Sequence, residues 1–255
     1  MTDKLPVSVV IVTRNEELNI AGALESACMA QEIVIVDDYS TDRTVDICRG
    51  YNARIYQNHW QGFAQQKQFA IDHAAGPWVF LLDSDERLTP ALVQELGQVL
   101  ADATYDGFYV PRKNFFLGKW IKHSGWWPDN TLRLFKKDKA HMHQRQVHEK
   151  VLLDGRAGNL RNPIEHYSYR SISDFIRRMD VYTTLAAEEL VKAPVRSYAF
   201  AFTLKPLAMF LKMYVLRLGV LDGVRGFILA VLYAIYTFLK YLKAWEKERG
   251  GEKNL

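Results

Sequence analysis

The 255-residue sequence predicts an α/β fold: a doubly wound, mostly parallel sheet followed by C-terminal amphipathic helices. Three observations predict it. Strand-like runs alternate with segments of helical spacing four times in about 100 residues. Three of the runs are apolar almost throughout, the mark of strands buried on both faces. Polar clusters follow three of the four runs directly, where open parallel sheets bind their ligands.

Residues 7–12 (VSVVIV) form the first strand. Residues 16–27 have helical spacing, with Leu18, Ala21, Leu24 and Cys28 on one face. Residues 33–36 are the second strand, and Ser40-Thr41-Asp42 then signals the N-cap of a helix ending at Arg49. Residues 54–56 make a third, shorter strand, 62–75 a helix and 78–82 (WVFLL) a fourth buried strand. Residues 90–101 are a helix with Pro90 in its first turn. After Asp106 the pattern changes. Residues 108–111, 132–135 and 147–153 are strand-like and separated by basic and aromatic loops. Residues 171–190 are helical, with Ser171 or Ser173 as cap. Two apolar stretches close the chain, 198–220 and 227–239.

Composition excludes several classes. With 49% hydrophobic and 24% charged residues, the chain is neither disordered nor fibrous. Cys28 and Cys48 cannot build a disulfide framework and have no zinc spacing, so a reducing compartment is expected. Residues 7–12 are too short for a signal-peptide core. The net charge of +4 hides an asymmetry. Residues 1–111 hold 7 Lys/Arg against 16 Asp/Glu, whereas 112–161 hold 12 against 4 and 192–255 hold 11 against 4. Basic blocks with aromatics can indicate nucleic acid. No nucleic-acid motif is present, and the last block is too apolar for a solvated groove, so a nucleic-acid partner is not expected. The stretch 198–220 carries Lys205, Pro206, Lys212 and Arg217. Its two readings are a core helix and an in-plane membrane anchor, and the basic excess matches an anionic leaflet.

Three clusters carry chemistry. Asp83-Ser84-Asp85 follows the fourth strand. Two carboxylates spaced by one residue can face one pocket where the chain turns. They are hard oxygen ligands suited to Mg²⁺ or Mn²⁺, which would neutralise a nucleotide diphosphate. Asp37-Asp38 follows the second strand. One acid can accept from a base edge or a ribose while the other faces a loop or caps the next helix. Thr13, Asn15 and Glu16 close the first strand with a hydroxyl, an amide and a carboxylate, a set suited to uracil and ribose. Neither GxGxxG nor GxxxxGK[ST] occurs, which argues against a dinucleotide fold and a P-loop.

VSVVIVTRNEELNI, EIVIVDDYSTDRT and GPWVFLLDSDERLTP together resemble the nucleotide-sugar segments of family 2 inverting glycosyltransferases. The resemblance implies a GT-A fold, a nucleotide-diphosphate-sugar donor and a divalent cation. It implies that Thr13, Glu16, Asp37 and Asp38 hold the nucleotide, and that Asp83 and Asp85 form the DxD motif with Asp85 the main metal ligand. Lys67 stands where the family has a basic residue. WWPDNTLRLFKKD, VHEKV, EHYSYRS and the closing apolar segment look like the lipopolysaccharide core enzymes of this family, which include an inner-core heptose β-1,4-glucosyltransferase. These likenesses imply a catalytic domain over 1–191, with a donor-binding half 1–105 and an acceptor half 106–191. Residues 192–255 would then associate with the cytoplasmic face of the inner membrane.

Inversion needs a base opposite the departing nucleotide. In the family it is generally an acid in the acceptor half. Glu149 is the leading candidate, with His148 to orient it or to contact the diphosphate, and Asp129 is the alternative. His166 would complete the metal or diphosphate site. Arg133 would hold donor diphosphate or an acceptor phosphate. Trp120, Trp126 and Trp127 either stack on sugar rings or pack beneath a loop. The reading is an inverting transfer of a hexose, glucose, from a UDP-sugar to a lipopolysaccharide inner-core acceptor. Alternatives are a polyprenyl-phosphate or peptide acceptor, and a non-catalytic sugar-nucleotide-binding scaffold at the membrane.

Overall fold

The apolar runs become strands with both faces covered. In a computed structural model describing residues 4–101, 104–143, 150–192 and 197–252, the first run is β1 (Leu5–Thr13). It lies between β2 (Ala30–Asp37) and β4 (Trp78–Leu81), parallel to each, and β3 (Arg54–Gln57) continues the parallel set outside β2. Alternate residues of each strand enter opposite cores. Val9, Ile11, Ile35 and Phe80 join one cluster, while Val10, Val34, Val36 and Leu81 join the other. The helices between these strands are α1 (Ile20–Ser26), α2 (Thr44–Arg49) and α3 (Phe63–Asp72). After β4 come β5 (Glu86–Leu88) and α4 (Pro90–Ala101).

The later strands turn the sheet mixed. They are β6 (Gly107–Phe116), β7 (Lys119–Trp120), β8 (Asp129–Lys136), β9 (Ala140–Met142), β10 (Val151–Leu153), β11 (Ala157–Asn159) and β12 (Ile164–Tyr169). The sheet order is β3-β2-β1-β4-β8-β6-β12-β5, with β11 and β7 also on β6. β8 is antiparallel to both β4 and β6. β9 and β10 form a separate antiparallel pair.

The chain divides into two compact units, one of residues 1–113 and 129–166, the other of 114–128 and 167–255. The second contains α5 (Ile172–Val191), α6 (Tyr198–Leu211) and α7 (Val224–Glu252). Ser171 caps α5, its Oγ accepting from the Asp174 N–H at 3.1 Å. The core of this unit is Phe116, Ile121, Phe175, Met179, Leu229 and Leu232. Trp126 packs edge-on to Phe116 and Tyr233, and Trp120 edge-on to Trp127. Packing beneath a loop, rather than an open sugar platform, describes Trp126.

Some expectations shift. The helix expected from residue 16 starts at Ile20, because Asn15 is left-handed (φ 53°) and Glu16 opens a turn whose carbonyl accepts from the Asn19 and Ile20 N–H groups. Leu18, expected on the apolar face, is exposed. The helix expected after Ser40 starts at Thr44, and Asp42 Oδ1 accepts from the Thr44 N–H at 3.0 Å. The stretch 198–220 does not stay one α-helix. Residues 212–216 widen into a π-turn, and Leu218 is left-handed (φ 54°).

Candidate functional site

Parallel register brings the polar clusters to one edge. Thr13 pairs with Asp37 and Asp37 with Gln57. The Leu82 N–H bonds to the Val10 carbonyl, carrying β4 onward into Asp83. The first two clusters are stitched together. Asn15 Oδ1 accepts from the Thr41 N–H at 2.8 Å, and the Glu16 N–H donates to Thr44 Oγ1 at 2.7 Å. The Glu16 carboxylate takes a bond from the Asn19 amide at 2.6 Å. Thr13 Oγ1 is buried without a hydrogen-bond partner among the described residues.

The adjacent acids divide their work. Asp37 is fully buried and its carboxylate accepts from both the Ser40 hydroxyl (2.5 Å) and the Ser40 N–H (3.0 Å). Asp38 pairs with Arg14 at 2.7 Å and accepts from the Trp60 N–H at 3.1 Å. Asp37 therefore shapes the loop, and Asp38 shares its charge with a largely exposed guanidinium.

Asp83 and Asp85 face different neighbours. Asp83 Oδ1 lies 3.1 Å from Lys67 Nζ, on α3, and Oδ2 lies 2.6 Å from Arg133 Nη2, on β8. Burial alone would raise the Asp83 pKa. The positive charges of Arg133, Lys67 and Arg112 override it and hold the carboxyl well below its usual range. Asp85 instead turns to His166, with Oδ1 3.5 Å from Nε2. Antiparallel pairing of β5 with β12 sets His166 opposite Glu86 and so beside Asp85. Burial would lower the His166 pKa, but the Asp85 carboxylate more than compensates and raises it. Ser84 is buried, and its carbonyl accepts from Arg87 at 3.1 Å.

Beneath this turn lies a network that residue spacing does not reveal. Glu86 is fully buried. Its Oε2 accepts from the Asp83 N–H at 3.0 Å, and its Oε1 lies 2.5 Å from Arg133 Nη2. Arg133 is only 2% exposed, so it sits under the site instead of reaching out to a phosphate. Desolvation opposes its charge, yet Asp83 and Glu86 raise its pKa. Arg112 extends the network, 3.7 Å from Glu86 Oε1 and 2.7 Å from Asp129 Oδ2. The sequence places Glu86 at the strand end without a role and gives Arg112 none. The available signal was a third acid directly after two others at a strand end. Glu149 and His148 lie outside the described residues.

A divalent cation at this edge would find Asp85 and His166 as side-chain donors. Both Asp83 oxygens already carry cationic partners. Among the described residues no group of three or more ligating side chains occurs. One carboxylate oxygen and one imidazole nitrogen still fit an ion that takes its other ligands from a diphosphate and water.

Residues 8–168 match the family model described as glycosyl transferase family 2, well over half of the chain. The chain belongs to glycosyl transferase family 2. It is a glycosyltransferase. It is 33% identical to the lipopolysaccharide core biosynthesis glycosyltransferase LpsC of Rhizobium meliloti, covering 97% of this chain and 94% of LpsC. It is 27% identical to an uncharacterized glycosyltransferase of Rickettsia typhi, over 94% of this chain and 87% of that one. Among solved structures it is similar to Staphylococcus aureus TarS 1–349 in complex with UDP-GlcNAc. The TM-score is 0.52 at 18% identity, covering 96% of this chain and 92% of TarS. That likeness is one of fold, and the curled mixed sheet of this family 2 enzyme is the GT-A fold.

Proposed function

We propose that this glycosyltransferase moves a hexose, glucose, from a UDP-sugar to the inner core of lipopolysaccharide, inverting the anomeric carbon in one displacement. The observation that carries the reading is the pairing of Asp85 with His166 at the strand edge where Thr13, Asp37 and Asp38 also gather. The acceptor class is supported by similarity to LpsC along nearly the whole chain.

In this reading Thr13, Asn15, Glu16, Asp37 and Asp38 form the nucleoside end of the site, with Asp38 and the orphaned Thr13 hydroxyl as its contacts. Asp85 and His166 hold Mg²⁺ or Mn²⁺, with Asp83 and Ser84 fixing the turn that presents Asp85. The cation would neutralise charge developing on the departing diphosphate. Lys67 and Arg133 fix Asp83 by charge. Glu149 takes the proton from the acceptor hydroxyl, and His148 beside it in sequence orients it. Asp129 is the poorer candidate, because the hydroxyl would compete with Arg112 for its carboxylate. The acceptor is lipid-linked, so the enzyme works at the cytoplasmic face of the inner membrane.

Release of UDP from a panel of UDP-sugars, with and without purified inner-core lipopolysaccharide and with the cation present or chelated, tests the proposal. UDP-glucose should be consumed only when acceptor and cation are both supplied. Turnover with a polyprenyl phosphate or a peptide in place of the lipopolysaccharide would overturn the acceptor assignment.

A further inference from the structure

Residues 198–216 and 224–249 are each long and apolar enough to cross a bilayer, judged by length and composition. Their neighbours in the second unit argue against crossing. α5 runs beside α7 and in the same direction: Phe175 stacks edge-on to Tyr233, Lys243 Nζ bonds Asp180 Oδ1 at 2.7 Å, and Lys247 bonds Glu188 at 3.0 Å. Asp180 and Glu188 lie on the exposed side of α5. A bilayer enclosing α7 would enclose these charges too, a costly arrangement.

The turn joining α6 to α7 gives an independent argument. It is fastened to the loop 114–128 of the same unit. The Ser124 N–H donates to the Arg217 carbonyl at 2.8 Å. The buried Asp222 carboxylate accepts from the Lys122 and His123 N–H groups at 3.1 and 3.0 Å. Arg225 donates to the Leu117 carbonyl. The start of α7 is therefore held on the side of the membrane where the loop 114–128 lies, and α5 holds its far end among charged, solvated side chains.

α6 is the outermost apolar element. In the most apolar 18 residues of the stretch 198–216 only 11% are buried, against 33% in those of the stretch 224–249. Phe200, Leu204, Leu207 and Leu211 recur at intervals of three and four on one helical face, each about half exposed. Leu216 and Leu221 extend the surface at 78% and 64% exposure. From Tyr198 to Leu221 the sequence contains three Lys/Arg and no acid. Two of them, Lys212 and Arg217, are exposed beside Leu211 and Leu216. A second copy docking on this surface would meet like charge there, whereas anionic headgroups would meet the opposite charge.

We infer that α6 and the turn after it lie flat in an anionic lipid surface, presenting Phe200, Leu204, Leu207 and Leu211 to the acyl boundary, and that neither α6 nor α7 spans the bilayer. The inference builds on the membrane-surface reading above, and its test reads no sugar transfer, so the two fail separately.

The test is flotation of the full-length protein with vesicles of phosphatidylcholine, with and without phosphatidylglycerol. The wild type should float with the anionic vesicles. Leu207→Glu/Leu211→Glu should bind at least about tenfold less, since it puts charge where apolar area would be buried. Both leucines are exposed, so its thermal unfolding should match the wild type. Equal flotation of the variant, or no flotation of the wild type, overturns the inference. So does a dimer in detergent-free solution that the substitutions dissolve, because the face would then be a copy interface. Membrane orientation supplies the second readout. In a Cys28→Ser background, Lys119→Cys and Glu246→Cys mark the two ends of α7. An impermeant maleimide should label both in the same inverted membrane vesicles. Labelling from opposite sides would mean that α7 spans.

Discussion

Arg133 Nη2 lies 2.6 Å from Asp83 Oδ2, and the same nitrogen lies 2.5 Å from Glu86 Oε1. One guanidinium, sealed from solvent, thereby fixes the acid that opens the turn and the acid that closes it. Replacing Arg133 by Met would leave two carboxylates with their main counter-charge gone. We expect about 3–5 kcal/mol of lost stability, as for breaking a buried ion pair from one side. Urea unfolding of Arg133→Met measures it, and Arg133→Lys should recover part of the loss.

Asp85 is poised differently. Its Oδ1 lies 3.5 Å from His166 Nε2. Asp85→Asn should lower turnover by at least about 100-fold through loss of the cation's charge stabilisation. The midpoint of thermal unfolding should stay near that of the wild type. A variant that kept full turnover would remove Asp85 from the proposed metal site.

The two thiols should behave as opposites. Cys28 is exposed, whereas Cys48 is buried and its pKa is pushed up to about 12 by burial and by the charge of Asp37. The thiolate is the reactive form, so at neutral pH Cys48 is inert. A colorimetric thiol titration should find one reactive group in the native protein and two after unfolding.

Gly226 is required by close approach. A Cβ there would lie 1.9 Å from the Gly219 carbonyl oxygen, within the turn that joins α6 to α7. Gly226→Ala should cost about 1–3 kcal/mol by forcing the backbone apart. Protease sensitivity of the peptide bonds around residues 217–223 should rise with it, as a digestion time course would show.

The sequence was informative where structure follows from local periodicity. The run 7–12 is a strand because its residues feed both cores, and that requirement is visible as an unbroken apolar string. The strand-end positions of Asp37 and Asp83 follow from the same reasoning. What stayed hidden depends on distant partners. Arg133 reads like any charged residue in a strand, and its counter-charges sit 50 and 47 positions away. The sequence offers His166 as a ligand candidate, but the β5–β12 pairing that puts it beside Asp85 has no short-range signature. Leu18 lies off the apolar face because the left-handed turn at Asn15 postpones the helix, and hydrophobic spacing alone does not register such a turn.

The pairing of β5 with β12 also orders events in time. Asp83, Asp85 and Glu86 leave the ribosome about 80 residues before His166. β5 acquires this neighbour only when β12 has been made. A chain halted before Ile164 would carry the acids of the strand edge without the imidazole that faces Asp85. The pairing of Asp85 with His166 is thus a late event, open to a nascent chain only once β12 has been made.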